Sequence, residues 1–105
     1  MPIQRVGHVV LKMRDLDEAK RFYNGVLGMK IADEREDMGV FFRFDDYHHD
    51  IAVFKVGEDA AAPERNQVGL AHVAMIADSF ETVQSMYRKL KDSGVEGIRT
   101  ADHGV

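Results

Sequence analysis

The chain has no cysteine and no tryptophan. Without a thiol there is no disulfide, no thiolate metal site and no cysteine nucleophile, so any metal would have to be held by His, Asp, Glu or water. Proline is scarce, with two in 105 residues, which argues against a proline-rich or collagen-like chain. No apolar run approaches the ~20 residues needed to cross a bilayer. The opening MPIQRVGH lacks the pattern of a secretory leader, so a cytoplasmic protein with no membrane partner is expected. Positive charge is in deficit too. Fourteen Lys plus Arg face eighteen Asp plus Glu, with no basic cluster, so nucleic acid is not an expected partner.

What remains is 45% hydrophobic and 30% charged, a balance that suits a folded globular chain with one modest core. Residues 3–13 alternate and are rich in β-branched side chains. They predict a strand with Val6, His8 and Val10 on one face and Val9 and Leu11 on the other. Asp15 followed by Glu18 has capping-box form, and Leu16, Ala19, Phe22, Tyr23, Val26 and Leu27 recur at helical spacing up to Gly28. A helix over about 16–27 follows. MKIADERED, GVFFRFDD and HDIAVFKV, separated by turn-forming residues, predict three antiparallel strands. The first module, residues 1–56, is therefore βαβββ.

GEDAAAPERNQ, residues 57–67, is polar and aperiodic and reads as an exposed linker. The strand signal returns in VGLAHVAMI. Asp78 or Ser79 then offers a cap, Phe80, Val83, Met86, Tyr87 and Leu90 give helical spacing, and Gly94 a stop. Shifting the chain by 64 residues lays His8 on His72, Val9 on Val73, Leu16 on Phe80, Ala19 on Val83 and Tyr23 on Tyr87. Element order repeats with it, so residues 68–105 read as a second, incomplete copy of the first module.

Two such modules related by a pseudo-twofold axis would turn His8 and His72 toward one cavity. A pair of neutral imidazoles there suits a divalent first-row metal. The alternative is that each imidazole bonds a backbone carbonyl within its strand. His48 and His49, in YHHDIAVF, stand at a strand entry on the border of that cavity. A histidine there could move protons, its ordinary pKa being about 6.5; the alternative is an exposed loop pair. His103, among turn residues, reads as solvated. Phe42 and Phe44, or else Phe41, would line a pocket depending on strand parity, or simply fill the core. Tyr23 and Tyr87 read as packing residues with a polar tip.

The stretch VGHVVLKMRDLDEAKRFYNGVLGMKI, with its weaker repeat GLAHVAMIADSFETVQSMYRKLKDSGV, resembles the vicinal oxygen chelate superfamily. This superfamily includes glyoxalase I, bleomycin and fosfomycin resistance proteins, methylmalonyl-CoA epimerase and extradiol ring-cleaving dioxygenases. The resemblance implies an α+β fold of paired βαβββ modules forming a partly open barrel around a divalent metal that acts as Lewis acid and template. The extradiol dioxygenases are the most similar group. By that resemblance His8 and His72 would be metal ligands, the metal iron(II), with manganese(II) or another divalent ion as alternatives. His49, from an HHxxA-type stretch, would be the acid/base. The implied partners are a small aromatic diol, dioxygen and a second copy in a homodimer.

The pattern also departs from the family. Glyoxalase I places a glutamate in the fourth strand, where DIAVFKV has only Asp50 at its mouth. The third, carboxylate ligand follows a DPDG-like turn late in the second module, and Val105 precedes any such segment. Either the sequence is cut short, or a partner chain completes the barrel, or the chemistry has been lost. A glyoxalase-like lyase, an epimerase and a metal-free binding or resistance protein are the alternative functions.

Overall fold

The computed structural model describes residues 2–100. They fall into two compact units, Met1–Arg65 and Asn66–Val105.

In the first unit the order is β1 (Val9–Met13), α1 (Leu16–Ala19) running into a π-helical segment (Lys20–Val26), β2 (Lys30–Arg35), β3 (Gly39–Arg43) and β4 (Ile51–Lys55). This is the expected βαβββ module. The strands form one mixed sheet in the order β1-β4-β3-β2. β1 pairs in parallel with β4, and the β3 pairings with β4 and β2 are antiparallel.

Asp15 caps the helix, its carboxylate accepting from Asp17 N–H at 2.9 Å and Glu18 N–H at 3.3 Å. Glu18 does not close the reciprocal bond of a capping box. It pairs with Arg21 at 2.5 Å, three residues on, since a guanidinium is a stronger partner for a carboxylate than a neutral amide. From Lys20 the helix widens. Leu27 N–H reaches Phe22 O at 2.9 Å and Met29 N–H reaches Tyr23 O at 2.9 Å; Gly28, at φ +80°, then turns the chain out of the helix. Leu27 and Tyr23 pack against the core cluster, and the Tyr23 ring lies 5.3 Å from that of Phe42. Burial raises the pKa of the Tyr23 hydroxyl.

The core comprises Ala19, Met29, Val40, Phe42, Ile51 and Val53, flanked by Val9, Leu11, Met13 and Leu16. Burying a side chain such as Phe42 contributes about 1.5–3 kcal/mol. Strand alternation and register assign the opposite face to Val10 and Lys12 along β1, Ala52 and Phe54 in β4, and Gly39, Phe41 and Arg43 in β3, with His8 just before β1. That face carries no helix of the first unit, and Phe54 remains 40% exposed. At the turn into β3, Asp37 adopts φ +58°, a left-handed conformation that aspartate tolerates better than most residues. A register shift between Ile31 and Asp33 puts a bulge into β2.

In the second unit, α2 (Phe80–Asp92) begins at Ser79, whose Oγ accepts from Thr82 N–H at 3.2 Å. It ends in a Schellman motif. Gly94, at φ +81°, donates to Lys91 O at 3.1 Å and Val95 donates to Leu90 O at 3.1 Å. The strand expected over 68–76 does not form: the stretch is in no strand, and its side chains, His72 included, are exposed. An apolar alternating sequence becomes a strand only where a neighbouring strand takes its amide and carbonyl groups. The second unit has no strand among its described residues. His103 lies outside the described residues.

Gly39 faces Phe54 across the β3–β4 register, and a Cβ there would meet Phe54 Cδ1 at 2.6 Å and Val53 O at 3.0 Å. Gly39→Ala should therefore destabilise the protein by about 1–3 kcal/mol, read as a lower urea midpoint. Combining it with Phe54→Ala should recover part of that loss; additive effects of the two changes would contradict the contact.

Candidate functional site

The parallel β1–β4 register brings residues distant in the chain side by side. Val9 lies opposite Ile51, and Val9 N–H donates to Asp50 O at 3.1 Å, so His8 arrives beside His49. Their ring centroids are 4.2 Å apart. Phe41 meets His49 edge to face at 5.1 Å, and His48 lies 4.7 Å from it by ring centroid. The parity left open by the sequence is thereby resolved. Phe42 is core, whereas Phe41 stands with the histidines on the face without helices.

Asp50 anchors the 44–50 loop that carries these imidazoles. Its N–H donates to Phe42 O at 2.8 Å, and its carboxylate accepts from Phe44 N–H at 3.0 Å. Farther along the loop, the Arg5 guanidinium sits 4.1 Å above the Tyr47 ring, a cation–π contact that ties the loop to the segment before β1. His49 is thus held from several sides by backbone bonds and ring contacts rather than left on a free loop.

His48 Nδ1 and His49 Nδ1 lie 2.5 Å apart. One of the two nitrogens carries the shared proton and the other accepts it. That contact leaves Nε2 as the His49 atom able to exchange a proton with anything else. The pKa of His49 is lowered, first by burial and then by the charges His8 and His48 would carry, with Asp50 acting in the opposite sense. His49 is accordingly a neutral imidazole at pH 7.

The imidazoles supply nitrogen donors of the kind a divalent metal takes, but His8, His48 and His49 bring no carboxylate with them. Among the described residues no group of three or more His, Asp or Glu could hold a metal ion. His72 lies in the second unit, exposed on the 68–76 stretch.

Away from the histidines, a hollow on the first unit has Arg14, Asp17, Lys20, Glu34, Asp37 and Lys55 in its lining. Some of its charges pair with one another, Lys20 with Glu34 at 2.6 Å and with Asp17 at 3.4 Å, and Lys55 with Asp37 at 3.8 Å.

The profile of the glyoxalase/bleomycin resistance protein/dioxygenase superfamily matches residues 5–105. The chain belongs to this superfamily. It is 33% identical over 103 residues to a biphenyl-2,3-diol 1,2-dioxygenase of Rhodococcus globerulus, covering 96% of this chain and 53% of that enzyme. To the catechol-2,3-dioxygenase of Bacillus subtilis it is 31% identical over 91 residues, covering 85% of this chain and 32% of that enzyme. The chain thus spans about half, or less, of the length of these relatives. Among solved structures it resembles a possible glyoxalase from Bacillus cereus, at a TM-score of 0.68 and 22% identity over 88% of this chain and 76% of the other. The lactoylglutathione lyase of Agrobacterium tumefaciens gives 0.66 and 23% over 90% and 73%. These two share the superfamily fold. No helix among the described residues is long and apolar enough to cross a membrane.

Sequence reasoning missed two features of this face. Nothing in YHHDIAVF announces the bond between the two Nδ1 atoms. Arg43 was not singled out in the sequence, yet its Nε is buried with no hydrogen-bond partner among the described residues; its even spacing from Phe41 was the available signal.

The packing around His49 predicts its titration. In a histidine-selective NMR titration His49 should have a midpoint below the ordinary histidine range, and His8→Ala should move it upward by removing a neighbouring ring and its charge. A midpoint indifferent to that substitution would contradict the contact.

Proposed function

We propose that this chain is the diol-binding and metal-binding module of an extradiol-type ring-cleaving dioxygenase, acting on a catechol-like vicinal diol with dioxygen. The observation that carries this reading is the contact of His49 with both His8 and Phe41 on the helix-free face. It gathers a nitrogen ligand, a proton-transfer group and an aromatic wall suited to a flat ring. Likeness to enzymes named for biphenyl-2,3-diol and catechol supports the substrate class.

In this reading His8 and His72 would hold a divalent metal, iron(II) first and manganese(II) as the alternative. When bound, such an ion supplies Lewis acidity and a template for the two neighbouring oxygens of a diol. The protein's own groups have defined tasks. His49, neutral at pH 7, takes a proton from a diol hydroxyl at Nε2 and returns it later. His48, through Nδ1, fixes which nitrogen of His49 is available. Phe41 offers an edge or face to the substrate ring, with preferred centroid distances of about 4.5–7 Å. Association as a homodimer belongs to the same reading, because an exposed Phe54 and the outer edge of β1 both favour a covering partner.

The test uses the full chain, assayed for bound metal and for oxygen uptake with catechol and 2,3-dihydroxybiphenyl. Stoichiometric iron or manganese should be present and should fall sharply in His8→Ala and in His72→Ala. His49→Ala should keep the metal and lose about 10²–10⁴-fold in kcat. Full metal content in both ligand variants would overturn the assignment. Product formation from the hemithioacetal of methylglyoxal and glutathione, without oxygen uptake from either diol, would replace the dioxygenase with a lyase.

A further inference from the structure

Two cations on the sheet face that carries no helix of the first unit, Arg43 and Lys30, take part in no ion pair among the described residues. Arg43 ends β3 two positions beyond Phe41, on the same side of the sheet. Its Nε is buried and lacks a hydrogen-bond acceptor among the described residues. A buried donor left unmade is costly, the more so on a charged group. Directly across the β2–β3 register stands Lys30, so two like charges face each other, an arrangement that destabilises a sheet. Asp50, one step beyond the paired Phe42 and Ile51, is the nearest acid in the register. Its carboxylate accepts from Phe44 N–H instead, and neither Arg43 nor Lys30 takes part in any ion pair among the described residues. In a chain with more acidic than basic residues, these two cations face each other without an ion pair among the described residues.

We propose that Arg43 and Lys30 form a carboxylate-binding subsite, so that the diol this protein takes is a catechol bearing an acidic side chain. The planar guanidinium presents paired donors that match a carboxylate, and the ammonium adds a point charge beside it. Same-face residues two apart along a strand are separated by about 7 Å, so Arg43 stands roughly one substituted ring away from Phe41 and the imidazoles it touches. The proposal rests on the reading that the face bearing His49 receives the substrate, and it narrows that reading from catechols in general to anionic ones.

The experiment is calorimetric titration of the full chain with 3,4-dihydroxyphenylacetate and with its methyl ester, for wild type, R43Q, R43K and K30Q. The wild type should bind the acid at least about tenfold tighter than the ester. That ratio should fall to near one in R43Q. It should fall partway in R43K, which keeps the charge but not Nε, and partway in K30Q, a change at an exposed position that leaves the fold intact. A wild-type ratio near one, or a ratio unmoved in R43K and K30Q, overturns the subsite. Oxygen uptake by the wild type with unsubstituted catechol judges the dioxygenase separately. Uptake together with a ratio near one removes the subsite and keeps the enzyme; acid-selective binding that R43Q abolishes, without uptake from any diol, keeps the subsite and removes the enzyme.

Discussion

The parallel pairing of β1 with β4 is the constraint on which the rest depends. A parallel pair cannot be made by a tight hairpin; the chain must cross over and return. Here the crossover consists of the helix, β2 and β3. The return register sets Val9 against Ile51, and this alone places an imidazole from the beginning of the chain against one from the loop before β4. A slip of one residue would send His8 to the packed side and bring Val9 out. The hydrophobic faces on both strands resist that slip: Val9, Leu11, Ile51 and Val53 all pack toward the helix.

The two faces of the sheet do different work. Toward the helix, large apolar side chains close around Phe42 and Met29, both almost fully buried. On the other side Gly39 leaves room for the Phe54 ring, Phe41 supports His49, and charges stand at the strand ends. The packed side provides rigidity, and the opposite side inherits it as fixed positions for His8, His49 and Phe41. His49 combines both properties, being held by Asp50 and by ring contacts while keeping one nitrogen free.

Much of the first unit was legible in the sequence, because its signals are local and agree with one another. The Asp15 cap, the helical recurrence from Leu16 to Leu27, the Gly28 stop and the turn residues between the strands all point the same way. The π-helical widening was not legible, since it follows from how Tyr23 and Leu27 meet the sheet and not from propensity. The second unit divides instructively. The α2 cap at Ser79 and the Gly94 stop are properties of a few neighbouring residues and appear as expected. VGLAHVAMI has the composition of a strand, yet strand formation requires a neighbour that composition cannot provide. As for the site, the face that His8 shares with Val10 was readable from alternation. The strand entry already put His48 and His49 at the border, family resemblance singled out His49, and Arg43 became visible only once pairing showed which face it shared and which acid it lacked.

The bulge between Ile31 and Asp33 has a consequence for how the sheet can grow. A bulge kinks the strand that carries it and spoils the even spacing of free amides and carbonyls that an added strand would need. β2, lying at one margin with charged residues at most of its positions, is therefore a poor template. The opposite margin, β1, is regular and carries a single charged side chain, Lys12. Enlargement of this architecture is directional: a newcomer's backbone is steered to β1, the strand whose entrance His8 marks.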